Sequence, residues 1–384
     1  MSWDLTKIDE VRRYYETEMY GRWRDGETVS YELLGPDPEE AAVADKPRNP
    51  FAIIGGELVK IRVEKDGRST EFVIHAYLPT AEDRERNYPG GSPFIVALHP
   101  LFPQKEILSR GVAILVFNCF AMASDNTERK GNFYDIYPYG EDPAEQTGVL
   151  MGWAWGASKI LDAVYGGLAS EFHLDADASM VTGVSRCGKS AAVCGAFEKR
   201  FFMTIPACSG AGGLALYNYF SEGKTYDLTA VGGPESYTYS QNEPLSCLQS
   251  DAERGWFNDR FLSYKTPEEF PYDQEWLPVL AMAPNRCYFV IAACMSEDWV
   301  NAPSMWECCK KAMEAYTAAG FSDRIAMHFH REGHAVLAED AELFLPYFDM
   351  MYYGRDGACG TADSVRSAGV DIEMLQTSVF AGQE

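Results

Sequence analysis

The sequence predicts an α/β protein with a mostly parallel central sheet between two layers of helices and an antiparallel edge at its N-terminal side. Three observations carry this. Residues 93–98, 112–117 and 287–293 are continuous apolar runs, the pattern of parallel strands covered on both faces. These runs alternate with long helical patterns at 148–164, 304–319 and 341–351, as in a sheet whose strands are joined by helical crossovers. Ahead of them, 57–64 and 70–78 alternate apolar with polar residues around Asp66-Gly67, the signature of a half-buried hairpin.

In chain order, 11–23 reads as an amphipathic helix with tyrosines and Met19 on one side. Residues 31–49 are rich in proline and acid and are expected to wrap the surface. After the hairpin and the first two apolar strands, 124–142 is a polar, aromatic, Gly/Pro-rich loop of the kind that carries function. A helix follows over 148–164. The polar segment 175–179 leads into a short strand at 180–182, then a small-residue turn, then a helix over 191–197. Residues 203–207 form another strand. Residues 218–272 have little periodicity and read as a cap-like insertion. The strand 287–293, the helix 304–319 ended by Gly320, the strand 324–329 and the helix 341–351 complete the pattern. No internal repeat or low-complexity segment is visible, and 1–384 is expected to be a single domain carrying the insertion.

Lys plus Arg number 33 against 57 Asp plus Glu, a formal net charge of -24. That balance argues against nucleic acid and anionic membrane as partners, and no segment approaches the ~20 uninterrupted apolar residues of a membrane span. The N-terminal residues Met1-Ser2-Trp3-Asp4-Leu5 lack a charged-then-apolar leader pattern, which fits a cytoplasmic protein or one whose leader has been removed. Cys187, Cys194, Cys208, Cys287 and Cys294 sit among apolar or small residues, and Cys308-Cys309 is a vicinal pair on a helix. None has ligand spacing, so buried reduced thiols are expected and no metal site.

The stretch Gly183-Val184-Ser185-Arg186-Cys187-Gly188-Lys189-Ser190 between a strand and a helix admits two chemistries. It fits the phosphate-loop pattern G-x-x-x-x-G-K-[ST], and it also fits a nucleophile elbow presenting Ser185. A structural alternative is Ser185 as a helix cap. Chain order favours the elbow. At least four strands precede the motif, whereas a phosphate loop normally follows the first strand, and no later strand ends in a magnesium-holding Asp. In the α/β-hydrolase fold the nucleophile is followed by an acid and then a histidine. Here Ser185 is followed by Glu297 and Asp298 past one strand and by His334 past the last. His75, His99, His173, His328 and His330 are read as structural.

The elbow Gly183-Val184-Ser185-Arg186-Cys187-Gly188-Lys189 resembles the G-x-S-R-x-G-K of the glucuronoyl esterases, carbohydrate esterase family 15. Tyr20-Gly21-Arg22, Trp153-Ala154-Trp155-Gly156, Ser209-Gly210-Ala211-Gly212-Gly213, Trp256-Phe257, Pro271-Tyr272-Asp273-Gln274 and Ala283-Pro284 follow in the family's order. The resemblance implies an α/β-hydrolase fold and a serine esterase acting on a hexuronate ester of lignin–carbohydrate type, with glucuronoxylan as partner and no cofactor. It implies Ser185 as nucleophile, His334 as base, and Arg186 as oxyanion stabiliser through its backbone N–H and guanidinium. Lys189, Glu253, Gln249, Trp256 and Trp299 would hold the sugar. Many members carry the acid just before S-G-x-G-G, where this chain has Cys208. Other members carry it after the late strand, which leaves Asp298 as the expected acid and Glu297 as the second choice. A non-catalytic carbohydrate-binding relative is the remaining alternative.

Overall fold

The computed structural model describes residues 3–40, 52–354 and 371–383. An amphipathic helix α1 (Ile8–Glu18) buries Val11 and Tyr15. The chain then enters strand β1 (Thr28–Pro36), so the first residues of the stretch expected to wrap the surface instead form a sheet edge. Residues 41–49 of that stretch lie outside the described residues. Strands β2 (Glu57–Lys65) and β3 (Arg68–Tyr77) pair antiparallel through the Asp66-Gly67 turn. The buried positions of β3 alternate, as one covered face requires.

Strands β4 (Ser92–Ala97) and β5 (Ala113–Phe117) are buried at every position. Helix α2 (Val149–Ala163) leads to β6 (Leu174–Val184), which takes in the polar segment 175–179 and is longer than the sequence suggests. Ser185 then turns the chain into helix α3 (Arg186–Phe197), followed by β7 (Met203–Ala207). The insertion holds a small hairpin, β8 (Thr225–Tyr226) and β9 (Tyr237–Thr238), and short helical turns. Strand β10 (Cys287–Ala293), helix α4 (Ala302–Ala318), β11 (Ile325–His330) and helix α5 (Ala338–Tyr353) complete the sheet.

The nine-stranded sheet has the order β1-β2-β3-β5-β4-β6-β7-β10-β11. Pairing is antiparallel from β1 to β5 and parallel from there to β11. The crossover from β4 to β5 runs toward the antiparallel edge, whereas β5–α2–β6, β6–α3–β7 and β10–α4–β11 run away from it. Right-handed connections therefore place the helix Gln104–Ser109 on one face, where α5 joins it, and α2, α3 and α4 on the other. All parallel strands end at one edge, where Ser185, Cys208, Glu297 and His334 follow β6, β7, β10 and β11. Among the described residues no helix is long and apolar enough to cross a membrane. The nine described cysteines are free thiols, all but the half-buried Cys247 buried.

A buried ion pair joins the N-terminal segment to this core. Glu27, just before β1, accepts from Lys159 Nζ of α2 at 2.7 Å and from Trp155 Nε1 at 2.9 Å, and also from the Tyr137 hydroxyl. Both charged side chains are at most 3% exposed. Burial pushes the Glu27 carboxyl up, but the Lys159 charge and the three donors outweigh it and hold it below its ordinary value. A depressed carboxylate stabilises the fold above its unfolded pKa of ~4.3 and loses that contribution as pH falls through the folded value. Glu27→Ala removes the fully buried one of the two carboxylates on the Lys159 ammonium, leaving Asp162, and strands the Trp155 N–H, and is expected to cost about 3 kcal/mol in urea unfolding at pH 7. The gap between wild type and Glu27→Gln should narrow in acid below about pH 4.

Candidate active site

Ser185 lies between β6 and α3 with φ 61° and ψ -128°. A non-glycine residue in that region costs on the order of 1–3 kcal/mol, so the surroundings must hold it. The Ser185 N–H donates to the Ala207 carbonyl of β7 at 3.0 Å, and Lys189 N–H returns to Ser185 O at 2.9 Å. Two glycines permit the turn. A Cβ on Gly183 would stand 2.3 Å from Cys187 O, and one on Gly188 would stand 2.3 Å from Ala207 O. The result is a half-exposed serine at the strand ends, followed by the N-terminus of a helix whose first backbone N–H belongs to Arg186. An elbow of this kind lifts a hydroxyl clear of the sheet and sets an N–H beside it for a developing oxyanion.

Past β10, the expected acid is corrected. Glu297 Oε2 lies 2.8 Å from His334 Nδ1, both side chains partly exposed. The contact is an ion-pair contact lying off the ring N–H axis, and Nδ1 has no aligned hydrogen-bond partner. Asp298 points the other way and is consumed. It accepts from Tyr237 Oη at 2.6 Å, Ser240 N at 2.7 Å and Ser240 Oγ at 2.8 Å, which ties the insertion to the β10 end. Ser296, at φ 64°, sets the turn that gives the two neighbours opposite directions. Cys208 stands buried after β7, where burial first and the nearby carboxylates next push its thiol up to about 12 despite a backbone hydrogen bond. It is a neutral packing group.

Arg186 Nη1 meets Asp125 Oδ2 at 2.5 Å, and Asp125 Oδ1 receives the Trp256 indole N–H at 2.7 Å. The guanidinium also lies over the Trp256 ring, 5.4 Å from its centre. Asp125 comes from the long 124–142 loop and was not singled out from sequence. It is one acid in an acid-rich chain, and only the fold puts it beside the elbow. Trp256 is buried with its N–H spent on Asp125, and its ring is covered by Arg186 and Lys189, so it supports the cations rather than presenting a hydrogen-bond donor to a ligand.

Lys189 departs from the expected sugar donor. It is buried, and its ammonium donates to Ser209 O at 2.8 Å, Ala211 O at 2.6 Å and Glu243 Oε2 at 2.7 Å. Three protons meet three protein acceptors, so Lys189 braces the 209–211 turn and the missed Glu243. Gln249 is corrected as well. Its amide donates to Phe261 O and Tyr264 O at 3.2 and 2.6 Å, inside its own loop. Glu253 fits its expected place better. Its Oε2 is buried without a partner, and burial first, then Glu243, raise its carboxyl above the ordinary value. Trp299 is half-buried, and its carbonyl accepts from Glu243 N at 3.0 Å. His99, read as structural, lies near enough to the site that His334 and Arg186 add to burial in lowering it to about 4. It is therefore neutral at pH 7, and its Nδ1 accepts from Leu101 N at 3.3 Å.

The phosphate-loop alternative does not fit this arrangement. A lysine saturated by carbonyls and a carboxylate presents no proton to phosphate, and Glu243 and Glu253 add negative charge beside it. Among the described residues, His328, His330 and Asp340 are the one group with potential metal-ligand atoms within 4.8 Å of one another. Asp340 Oδ1 is already shared by two imidazole nitrogens at 2.7 and 3.1 Å, distances of hydrogen bonds.

Residues 61–320 match the family model described as glucuronyl esterase, fungi. A multidomain esterase of Ruminococcus flavefaciens is 42% identical over 379 residues, covering 97% of this chain and 45% of that protein. A 4-O-methyl-glucuronoyl methylesterase of Hypocrea jecorina is 29% identical over 306 residues, 76% of this chain and 58% of that one. The chain thus spans about half the length of these curated relatives. The solved family 15 glucuronoyl esterase from Caldicellulosiruptor kristjansonii superposes with a TM-score of 0.79 at 28% identity, covering 98% of this chain and 89% of that one. The catalytic domain from Hypocrea jecorina gives 0.66 at 24% identity, covering 91% and 84%, a likeness of fold.

The neighbouring acids should separate cleanly on mutation. Glu297→Gln is expected to lower kcat for ester hydrolysis by about 10²–10⁴-fold with an unchanged melting temperature. Asp298→Ala should lower the melting temperature while folded protein keeps kcat within a few-fold of wild type. The reverse pattern would return the acid's role to Asp298.

Proposed function

Because the chain belongs to the glucuronyl esterase family, we propose that it is a serine esterase that hydrolyses a hexuronate ester, of the type in which a 4-O-methyl-glucuronoyl group of xylan esterifies a lignin alcohol. The observation that carries this reading is the strained Ser185 elbow at the same sheet edge as the 2.8 Å Glu297–His334 contact. The names of the relatives supply the substrate class.

The reaction follows from the groups present. Ser185 Oγ attacks the ester carbon while His334 takes its proton, and negative charge gathers on the former carbonyl oxygen beside the Arg186 N–H. Glu297 steadies the imidazolium. The carbon–oxygen bond to the alcohol then breaks, and His334 returns the proton to the leaving oxygen. Water, deprotonated by His334, attacks the acyl-enzyme, releasing the uronate and restoring Ser185. Arg186, anchored on Asp125 and stacked on Trp256, keeps a cation at the mouth of the site. The sugar is assigned to the side bounded by Trp256, Glu253 and Trp299. There the unpartnered Glu253 Oε2 accepts a hydroxyl hydrogen, while Lys189 acts indirectly by holding Glu243.

Benzyl glucuronate is the test substrate. Ser185→Ala should reduce its turnover to background and abolish labelling by a fluorophosphonate; turnover at the wild-type rate in that variant would overturn the assignment. Glu253→Ala is expected to raise KM about tenfold while leaving fluorophosphonate labelling of Ser185 intact.

A further inference from the structure

The loop that carries His334 leaves β11 at His330 and enters α5 at Ala338. Both of its ends converge on one carboxylate. Asp340 Oδ2 accepts from Leu337 N at 2.7 Å, which closes the start of α5. Asp340 Oδ1 accepts from His330 Nδ1 at 3.1 Å and from His328 Nδ1 at 2.7 Å. The other nitrogen of His330, Nε2, lies 2.9 Å from the carbonyl of Gly333, the residue before His334. Gly333 sits at φ 122°, a conformation that only glycine adopts easily.

The donor–acceptor count fixes the state of His330. A backbone carbonyl only accepts, so Nε2 must carry a hydrogen. Asp340 already takes the Leu337 N–H and is held below its ordinary pKa, since its hydrogen bonds from the two histidines outweigh burial. A carboxylate is a far weaker base than an imidazole, so beside two of them it is ionised and only accepts, and Nδ1 of His330 must also carry a hydrogen. His330 is therefore an imidazolium with a fully buried side chain, paired with a fully buried carboxylate. Asp340 and Glu339 face it from α5 and His328 from its own strand, and these acids outweigh burial in favouring the charged form. The same strand end is tied to the acid's loop, because Cys294 N donates to His330 O at 2.9 Å and Met295 N to Arg331 O at 2.8 Å.

We propose that His330 is a positioning residue for the reaction, a doubly protonated imidazole that clamps the Gly333 carbonyl to Asp340 and so holds His334 in register with Glu297. This inference rests on the esterase reading above. Loss of its proton would leave an Nδ1 lone pair facing the Asp340 carboxylate, and the clamp would open. Because the neighbouring carboxylates favour the charged form, the clamp opens at a higher pH than that at which an ordinary imidazole loses its proton.

The test compares wild type, His330→Gln and His328→Gln as full chains, using benzyl glucuronate turnover and the rate at which a fluorophosphonate labels Ser185. In His330→Gln, kcat and the labelling rate are expected to fall at least tenfold with KM within twofold. His328→Gln, which leaves the Gly333 contact intact, should stay within threefold of wild type. Wild-type labelling should decline between pH 7 and 10 while its circular dichroism stays native, and His330→Gln should lack that decline. Equal losses in both variants, a His330→Gln labelling rate within twofold of wild type, or a wild-type rate that does not decline would each overturn the proposal. The last of these applies even if the variant fails to fold. Loss of wild-type labelling on adding EDTA would also overturn it, in favour of a metal held by His328, His330 and Asp340. Labelling without benzyl glucuronate turnover would instead count against the substrate assignment alone.

Discussion

The site rests on one unfavourable backbone conformation. Ser185 is held at φ 61° and ψ -128° because β7 accepts its N–H on one side and α3 closes over its carbonyl on the other. Neither neighbour can approach unless positions 183 and 188 lack a Cβ, since each would meet a carbonyl oxygen at 2.3 Å. A strain on the order of 1–3 kcal/mol is small beside the burial of β6, β7 and α3. The sheet can therefore sustain it and present the hydroxyl at a defined point with the Arg186 N–H beside it. Glu297 and His334 meet only because β10 and β11 deliver them to the same edge.

Charge is distributed around this point in a consistent way. Lys189 and Glu243 are buried and neutralise one another, and together they pin the 209–211 turn that follows β7. Desolvation offsets much of the attraction in a buried pair of this kind, and what the pair visibly does here is hold the 209–211 backbone. Arg186 and Asp125 pair at the surface, where Arg186 remains half-exposed. Glu253 is left with a buried oxygen and no cation of its own. A buried acceptor without a partner is costly, and a sugar hydroxyl is a fitting donor.

Much of this was legible in the residues. The parallel strands announce themselves as unbroken apolar runs because both of their faces are buried, and β10 follows its run residue for residue. The front hairpin shows in its alternation because only one face is covered. The expectation was poorer at β1, where polar residues pair through their backbones, and at the start of β6, where residues 175–178 form an irregular stretch between two paired positions, neither of which side-chain polarity reveals. The elbow was readable because its glycines, serine and lysine are contiguous. Asp125 and Glu243 were not, since each lies far along the chain from the group it serves, and the Asp340 cluster was not, since it forms only when α5 packs back onto the end of β11.

By itself, the sequence determined the fold class, the serine elbow and the order in which Ser185, the 297–298 acids and His334 leave successive strands, because these depend on local periodicity and on contiguous small residues. Which of two adjacent acids meets His334, and whether the elbow lysine faces ligand or protein, were decided only by tertiary structure. Glu297 and Asp298 are neighbours in one turn, and their directions are set by Ser296's backbone and by Tyr237 and Ser240 arriving from the insertion. The three acceptors around Lys189 arrive from the 209–211 turn and from Glu243. A side chain's role depends on which partners reach it first, and those partners are brought together by long-range packing.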